Sequence, residues 1–164
     1  MLSVCRIDER LVHGQVAVKW TAVFDITNIV IVDDGVANNS MLKNINVNLA
    51  PRGCVVQVLT VEESYPVLKS EHESAPTRTL VVAKTPGVFL NLVESGLRIK
   101  KLIVGNMGYS SGREKLTKNL FATPAEAEEL LKLNALGVEL VAQIVPDDRD
   151  KEIVSTLNKI AQIK

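Results

Sequence analysis

Residues 3–24 read SVCRIDERLVHGQVAVKWTAVF, and this stretch decides the fold. Ser3-Val4-Cys5-Arg6-Ile7 is a short, mostly apolar run that predicts a strand. A polar loop from Asp8 to Gly14 follows. From Gly14 to Phe24 the residues Val16, Trp20 and Val23 recur at helical spacing, which predicts a helix. Strand, loop and helix in this order form the first half of a βαβ unit.

The same alternation continues along the chain. Further strands are predicted at Ile29–Val32, Val55–Leu59, Leu80–Ala83, Leu102–Val104 and Val138–Val145. Most are almost continuously apolar, as parallel strands buried on both faces are. Helices are predicted at Asn39–Leu49, with Met41, Leu42, Ile45 and Leu49 on one face, and at Val61–Lys69 and Val88–Val93. Another begins at Thr123-Pro124 and runs to Leu136. The last is predicted over Asp147–Ile163, with Ile153, Leu157 and Ile160 as its apolar stripe. Tyr109–Ala122 breaks the pattern as an irregular excursion that could supply a short antiparallel edge strand. The expected fold is α/β: an open, mostly parallel sheet with helices on both faces. No repeat, low-complexity segment or linker divides the 164 residues, so residues 1–164 are expected to form one domain.

Composition removes several classes of function. Lys+Arg and Asp+Glu both number 19, so no net charge draws the chain to nucleic acid or an anionic membrane. Aromatic residues make up 4%, too few for an oligonucleotide-stacking surface. No apolar run approaches the ~20 residues of a membrane span. Met1–Arg6 lacks the features of a signal peptide, and a cytoplasmic location is expected. Cys5 and Cys54 show no ligand spacing and read as reduced core thiols. His72 lies in the polar stretch Ser70–Ser74 and reads as a solvated loop residue; with His13 it makes no metal signature. No metal site is expected.

The loop from Asp8 to Gly14 carries the chemistry. In an open parallel sheet ligands sit beyond the carboxyl ends of the strands, and this is the first such loop. Gly14 permits a tight turn into the helix, whose N-terminal amides form a ready anion site. His13, with Arg10 nearby, is placed to carry a phosphoryl group: neutral imidazole attacks, while amides and guanidinium neutralise the phosphoryl oxygens. Asp8 could bond a ring nitrogen of His13 and fix its tautomer. The other reading of His13 is a helix cap, a surface residue or a satisfied core group. There is no GxGxxG, GxxxxGK[ST] or GxSxG motif, hence no visible nucleotide site or nucleophile elbow. A phosphoryl carrier without a nucleotide site must take its phosphate from another protein.

Arg6-Ile7-Asp8-Glu9-Arg10-Leu11-Val12-His13-Gly14-Gln15-Val16, with Trp20 beyond, closely resembles the active-site segment of the IIB components of the mannose–fructose–sorbose family of the bacterial sugar phosphotransferase system. That family reads R-I-D-D/E-R-L-I/V-H-G-Q-V followed by W. The resemblance runs along most of the chain, through Val32-Asp33-Asp34, Ala50-Pro51-Arg52-Gly53, Lys84-Thr85-Pro86, Val104-Gly105-Asn106-Met107, Lys115-Leu116-Thr117-Lys118 and Leu136-Gly137-Val138-Glu139-Leu140.

The resemblance implies that His13 is the phosphorylated histidine, usually modified on Nδ1. The group would come from the phosphohistidine of a IIA domain and pass to a sugar handled by the membrane components IIC and IID. Arg10 matches a phosphate-side arginine and Asp8 an acidic residue of the loop; Gly14 and Gln15 stand at the loop–helix junction, and Arg6 opens the motif. The phosphoryl group would ride covalently on histidine, with no separate cofactor. The carrier would work at the permease complex, and a homodimer is possible because some family members dimerise. Asp33, Asp34, Lys84 and Thr85 end neighbouring strands and could line the site; equally, Asp34-Gly35 could be a turn and Lys84 a surface charge. Asn106 stands where many members have glycine, which resembles the N-acetylgalactosamine or galactosamine branch. A regulatory or interaction protein that keeps the fold is the alternative role, and a metabolic enzyme using His13 as general base is a third.

Overall fold

The computed structural model describes residues 4–73 and 78–163. Ser3 of the first expected strand and Ser74 of the polar stretch fall outside them. The strands are β1 (Val4–Asp8), β2 (Asn28–Val32), β3 (Val55–Leu59), β4 (Thr79–Ala83), β5 (Lys101–Asn106), β6 (Glu114–Lys115), β7 (Phe121–Ala122), β8 (Glu139–Ala142) and β9 (Lys151–Glu152). The helices are α1 (Gly14–Val23), α2 (Asp34–Ala37), α3 (Ser40–Asn48), α4 (Val61–Glu73), α5 (Pro86–Glu94), α6 (Pro124–Ala135) and α7 (Val154–Ala161).

The main sheet runs β3-β2-β4-β1-β5-β8-β9, parallel throughout except for β9. β1 is therefore central, with Ile7 level with Ala83 of β4 on one side and Val104 of β5 on the other. Alternation along each strand sorts the side chains onto two faces. Cys5, Ile7, Val81, Ala83, Leu102 and Val104 join the core that includes Phe89, Leu130 and Leu157 of α5, α6 and α7. Val4, Ile29, Ile31, Leu80, Val82 and Ile103 join the core beneath α1, with Ala17 and Trp20. Arg6 and Asp8 share the period of Val4, so they are buried on the α1 side.

α6 begins where Thr123-Pro124 predicts. The Thr123 hydroxyl accepts from Glu126 N at 3.1 Å and Glu126 Oε2 accepts from Thr123 N at 2.8 Å, a reciprocal cap.

Four expectations need correction. The final helix does not start at Asp147. Gln143 Nε2 donates to the carbonyls of Pro146 and Asp148, 3.2 and 2.8 Å, and holds a loop there. Lys151–Glu152 then pairs antiparallel with β8, and only from Val154 does α7 begin. The antiparallel edge of the main sheet is thus β9. The excursion after Tyr109 instead forms a separate two-stranded ribbon, β6–β7, which places Leu116, Leu120 and Ala122 in the core. His72 is in the last turn of α4 and not in a loop. Finally, the apolar face of α3 is open to solvent: Met41, Leu42, Ile45 and Leu49 are all exposed, and the buried residue is Asn46.

Candidate functional site

The site is built on the end of β1 and the loop that carries the chain into α1. Asp8, the last residue of β1, is buried and organises this loop. Its Oδ1 accepts from Arg10 N at 3.1 Å, its own carbonyl accepts from Leu11 N at 2.9 Å, and Asn106 Nδ2 donates to Oδ1 at 3.3 Å. This is an Asx-type turn tied to the neighbouring strand. Leu11 takes a left-handed conformation, φ 58°, which costs about 1–3 kcal/mol for a residue with a β-carbon. Burial of Leu11 and Val12 in the core under α1 offsets that cost, at about 1.5–3 kcal/mol for each side chain. The two apolar anchors point inward, leaving Arg10 exposed and His13 half-buried at the mouth of the helix.

His13 occupies the N-cap position of α1 but its side chain makes no capping bond. Its carbonyl begins the helix by accepting from Ala17 N at 3.4 Å. The ring contact is Nδ1 to Leu11 O at 3.4 Å. The expected bond from Asp8 to the imidazole is not formed; the carboxylate is turned down into the sheet, and a backbone carbonyl faces the ring instead. Gly14, at φ 47°, makes the turn into α1, and it and Gln15 are exposed at the helix start. Arg10 makes no ion pair among the described residues.

Beneath the loop lies a buried guanidinium. Arg6 Nη2 and Nε donate to Asp8 Oδ2 at 3.1 and 3.3 Å, Nη1 donates to Gln143 O at 2.9 Å, and the guanidinium carbon stands 5.1 Å from the Trp20 ring centre. Burial pushes the Arg6 pKa down from its ordinary value, and Asp8 opposes that shift. Trp20 Nε1 donates to Ile144 O at 3.1 Å, so α1 is tied to the chain just past β8. Arg6 therefore supports the loop from below and is not directed at its mouth.

The other predicted lining residues sit at the carboxyl edges of β2 and β4. Lys84 Nζ and Asp33 Oδ2 pair at 3.1 Å, while Asp33 Oδ1 caps α2 by accepting from Val36 N at 2.8 Å. Asp34 Oδ1 accepts from Val61 N at 2.8 Å, binding the α2 start to α4. The Asp34-Gly35 turn reading gives way to a short helix, and Lys84 is an ion-paired residue beside β1. Thr85 is exposed at the N-cap of α5 without a side-chain bond. Among the described residues no hydrogen bond or ion pair joins any of these four to His13.

Sequence reasoning missed a second anchor of the loop. Glu9 Oε2 accepts from Gly108 N at 2.9 Å, Glu9 N donates to Asn106 O at 3.1 Å, and Glu9 Oε1 is paired with Arg113. Arg113 also donates to Glu126 at 2.6 and 2.9 Å and to Gly108 O at 2.8 Å. The Glu126 contact raises the Arg113 pKa, burial opposes it, and Glu9 adds to the rise. Glu9 and Arg113 are 104 residues apart, and nothing in local spacing announces the pair.

Among the described residues, no helix is long and apolar enough to cross a membrane and no group of His, Cys, Asp and Glu is placed to hold a metal ion.

Residues 2–164 match the family model of the sorbose-subfamily IIB component of the PTS. An N-acetylgalactosamine-specific phosphotransferase enzyme IIB component 2 of Escherichia coli (strain K12) is 32% identical over 148 residues, which is 90% of this chain and 92% of that protein. The mannose-specific EIIAB component of the same organism is 30% identical over 98% of this chain, which spans about half (49%) of that longer protein. The crystal structure of the IIB domain of the sorbose permease from Klebsiella pneumoniae superposes with a TM-score of 0.88 at 29% identity, covering 99% of each chain.

Proposed function

The chain belongs to the sorbose-subfamily IIB components of the phosphotransferase system, and from that premise we propose that His13 is the phosphoryl relay of this protein. The carrying observation is the environment of His13: an imidazole at the N-cap of α1 that makes no cap bond, half-exposed, in a loop with Arg10, which makes no ion pair among the described residues, and followed by the exposed Gly14 and Gln15. The imidazole carries only the weak Leu11 O contact, and an exposed guanidinium three residues away and the helix N-terminus are the groups that can neutralise phosphoryl oxygens.

In the acceptor step a ring nitrogen of His13 attacks phosphorus as the N–P bond of the donor IIA phosphohistidine breaks. In the delivery step a sugar hydroxyl attacks the same phosphorus, the His13 N–P bond breaks, and the hydroxyl proton ends on the freed imidazole, restoring neutral His13. No cofactor takes part. Nδ1 faces Leu11 O, so reaction at Nδ1 requires the ring to turn from that carbonyl; at 3.4 Å the contact is weak and easily given up. Arg6 and Asp8 hold the loop in shape, Arg10, Gly14 and Gln15 bind phosphate, and the Lys84–Asp33 pair borders the site. The donor would be a IIA domain and the acceptor a sugar presented by IIC and IID, with this chain working as one domain in the cytoplasm against the permease. Asn106 contacts Asp8 directly, and the similarity to an N-acetylgalactosamine-specific IIB component favours an amino sugar.

Incubation with phosphoenolpyruvate, the general phosphotransferase proteins and a matching IIA tests the reading. Wild-type protein should acquire one acid-labile phosphate and His13→Ala none; stoichiometric labelling of the variant overturns it. Adding membranes that carry IIC and IID should then yield sugar phosphate. A chain that accepts phosphate and never delivers it is a regulator.

A further inference from the structure

The ribbon and the β8–β9 connection border a cleft of about 280 Å³ whose lining includes neither His13 nor Arg10, Gly14 or Gln15. Its floor is apolar, from Leu120 and Ala142. Its rim carries Lys118, Arg149 and Lys151 against a single acid, Asp148. None of the three cations makes an ion pair among the described residues, whereas Asp148 already accepts from Val145 N at 3.3 Å. The remaining polar lining is neutral: Thr117 and Asn119, which suit hydroxyl groups, and Gln143, whose Nε2 is already given to the carbonyls of Pro146 and Asp148.

A concave site with unpaired cations, amides and an apolar floor selects a ligand with one strongly negative end and a hydroxyl-bearing body. Its volume lies at the low end for small-molecule pockets, the size of a monosaccharide. The cleft also adjoins the reactive loop. Gln143 and Ile144 line it, and their carbonyls accept from Arg6 and Trp20, the two residues beneath that loop. β8 lies two strands from β1, so the end of β8 stands about 10 Å along the sheet edge from the end of β1.

We propose that this cleft, lined by Lys118, Arg149 and Lys151, binds a small sugar phosphate. The choice of a sugar phosphate rests on the transfer reading above, since such an ester is the product of that reaction. Binding itself needs neither a donor nor a reactive His13, so the two readings fail separately.

The test is titration of the unphosphorylated, ¹⁵N-labelled protein with mannose 6-phosphate, inorganic phosphate and mannose, followed by amide chemical shifts. The ester should give saturable shifts confined to residues 117–120 and 142–151, mannose none, and inorganic phosphate weaker binding than the ester. Lys118→Ala with Arg149→Ala should weaken the ester by about tenfold or more, from the loss of two charge-assisted contacts. Arg149→Glu should abolish binding while the remaining spectrum stays that of the folded protein. Absence of saturable shifts, shifts confined to residues 8–16, equal binding of ester and inorganic phosphate, or displacement of the ester by an acidic peptide would each overturn the proposal.

Discussion

A β-carbon built on Gly105 would lie 1.9 Å from Cζ of Arg6, so the Arg6 guanidinium rests directly on the backbone of β5. Glycine at 105 is what allows a charged side chain to lie flat in the sheet beneath Trp20. From there Arg6 reaches Asp8, and Asp8 shapes the loop that ends at His13.

Gly105→Ala should therefore disturb a site it does not touch. The methyl group displaces Arg6 and leaves Asp8 buried without its partner, and loss of one member of a buried pair costs about 3–5 kcal/mol. A urea midpoint well below that of the wild type, with altered fluorescence from Trp20, the chain's one tryptophan, is the expected result. Unchanged stability would mean that Arg6 does not occupy this position.

Gly14→Ala makes the contrast. A β-carbon there meets nothing within 4 Å, and only the left-handed backbone, φ 47°, opposes it. The expected cost is about 1–2 kcal/mol, readable in the same unfolding experiment.

Trp20→Phe keeps the aromatic face over Arg6 and removes the indole N–H. Ile144 O then loses its donor, with an expected loss of about 1–2 kcal/mol. Amide exchange should quicken in α1 and in residues 143–145 together, because that bond joins them.

Alkali should find Cys5. Burial pushes its thiol pKa up to about 12, well above the ~8.5 of an unfolded cysteine. A raised folded value contributes stability below the unfolded pKa and loses it as pH rises toward the folded one. Stability should fall by about 1.4 kcal/mol per pH unit from this group above pH ~8.5, and Cys5→Ala should show a shallower slope. In native protein at pH 8 iodoacetamide should spare Cys5. Cys54, which is only partly buried and was expected in the core, should react first.

Acid should loosen the ribbon. Burial raises the Glu126 pKa, but hydrogen bonds from Arg113 and Thr123 N outweigh it and hold the carboxyl below its ordinary value. A depressed carboxylate contributes stability above its unfolded pKa of ~4.3 and loses it as pH falls through the folded value. Amide exchange in residues 108–122 should quicken in that window, and Glu126→Gln should remove the pH dependence while weakening the ribbon at neutral pH.

Local pattern was enough to place β1 through β5 and the helices α1, α3, α4, α5 and α6, because a short continuous apolar run and apolar residues spaced near 3.6 are properties of short segments. The loop before Gly14 was legible for the same reason: an acidic and basic run between a strand and a helix leaves its polar residues at the sheet edge. What the sequence determined by itself was therefore the α/β alternation and the position of His13. Tertiary structure alone decided what surrounds that histidine. Strand order sets β5, and not β2, beside β1, which brings Gly105 and Asn106 against Arg6 and Asp8 and turns the Asp8 carboxylate away from the imidazole. The same order carries Gln143 to Arg6 across 137 residues of chain. It also leaves the apolar stripe of α3 uncovered, although its spacing reads like a core face. Each of these contacts joins segments far apart in the chain, and hydrophobic spacing within a segment records only which face is apolar, never which segment will lie against it.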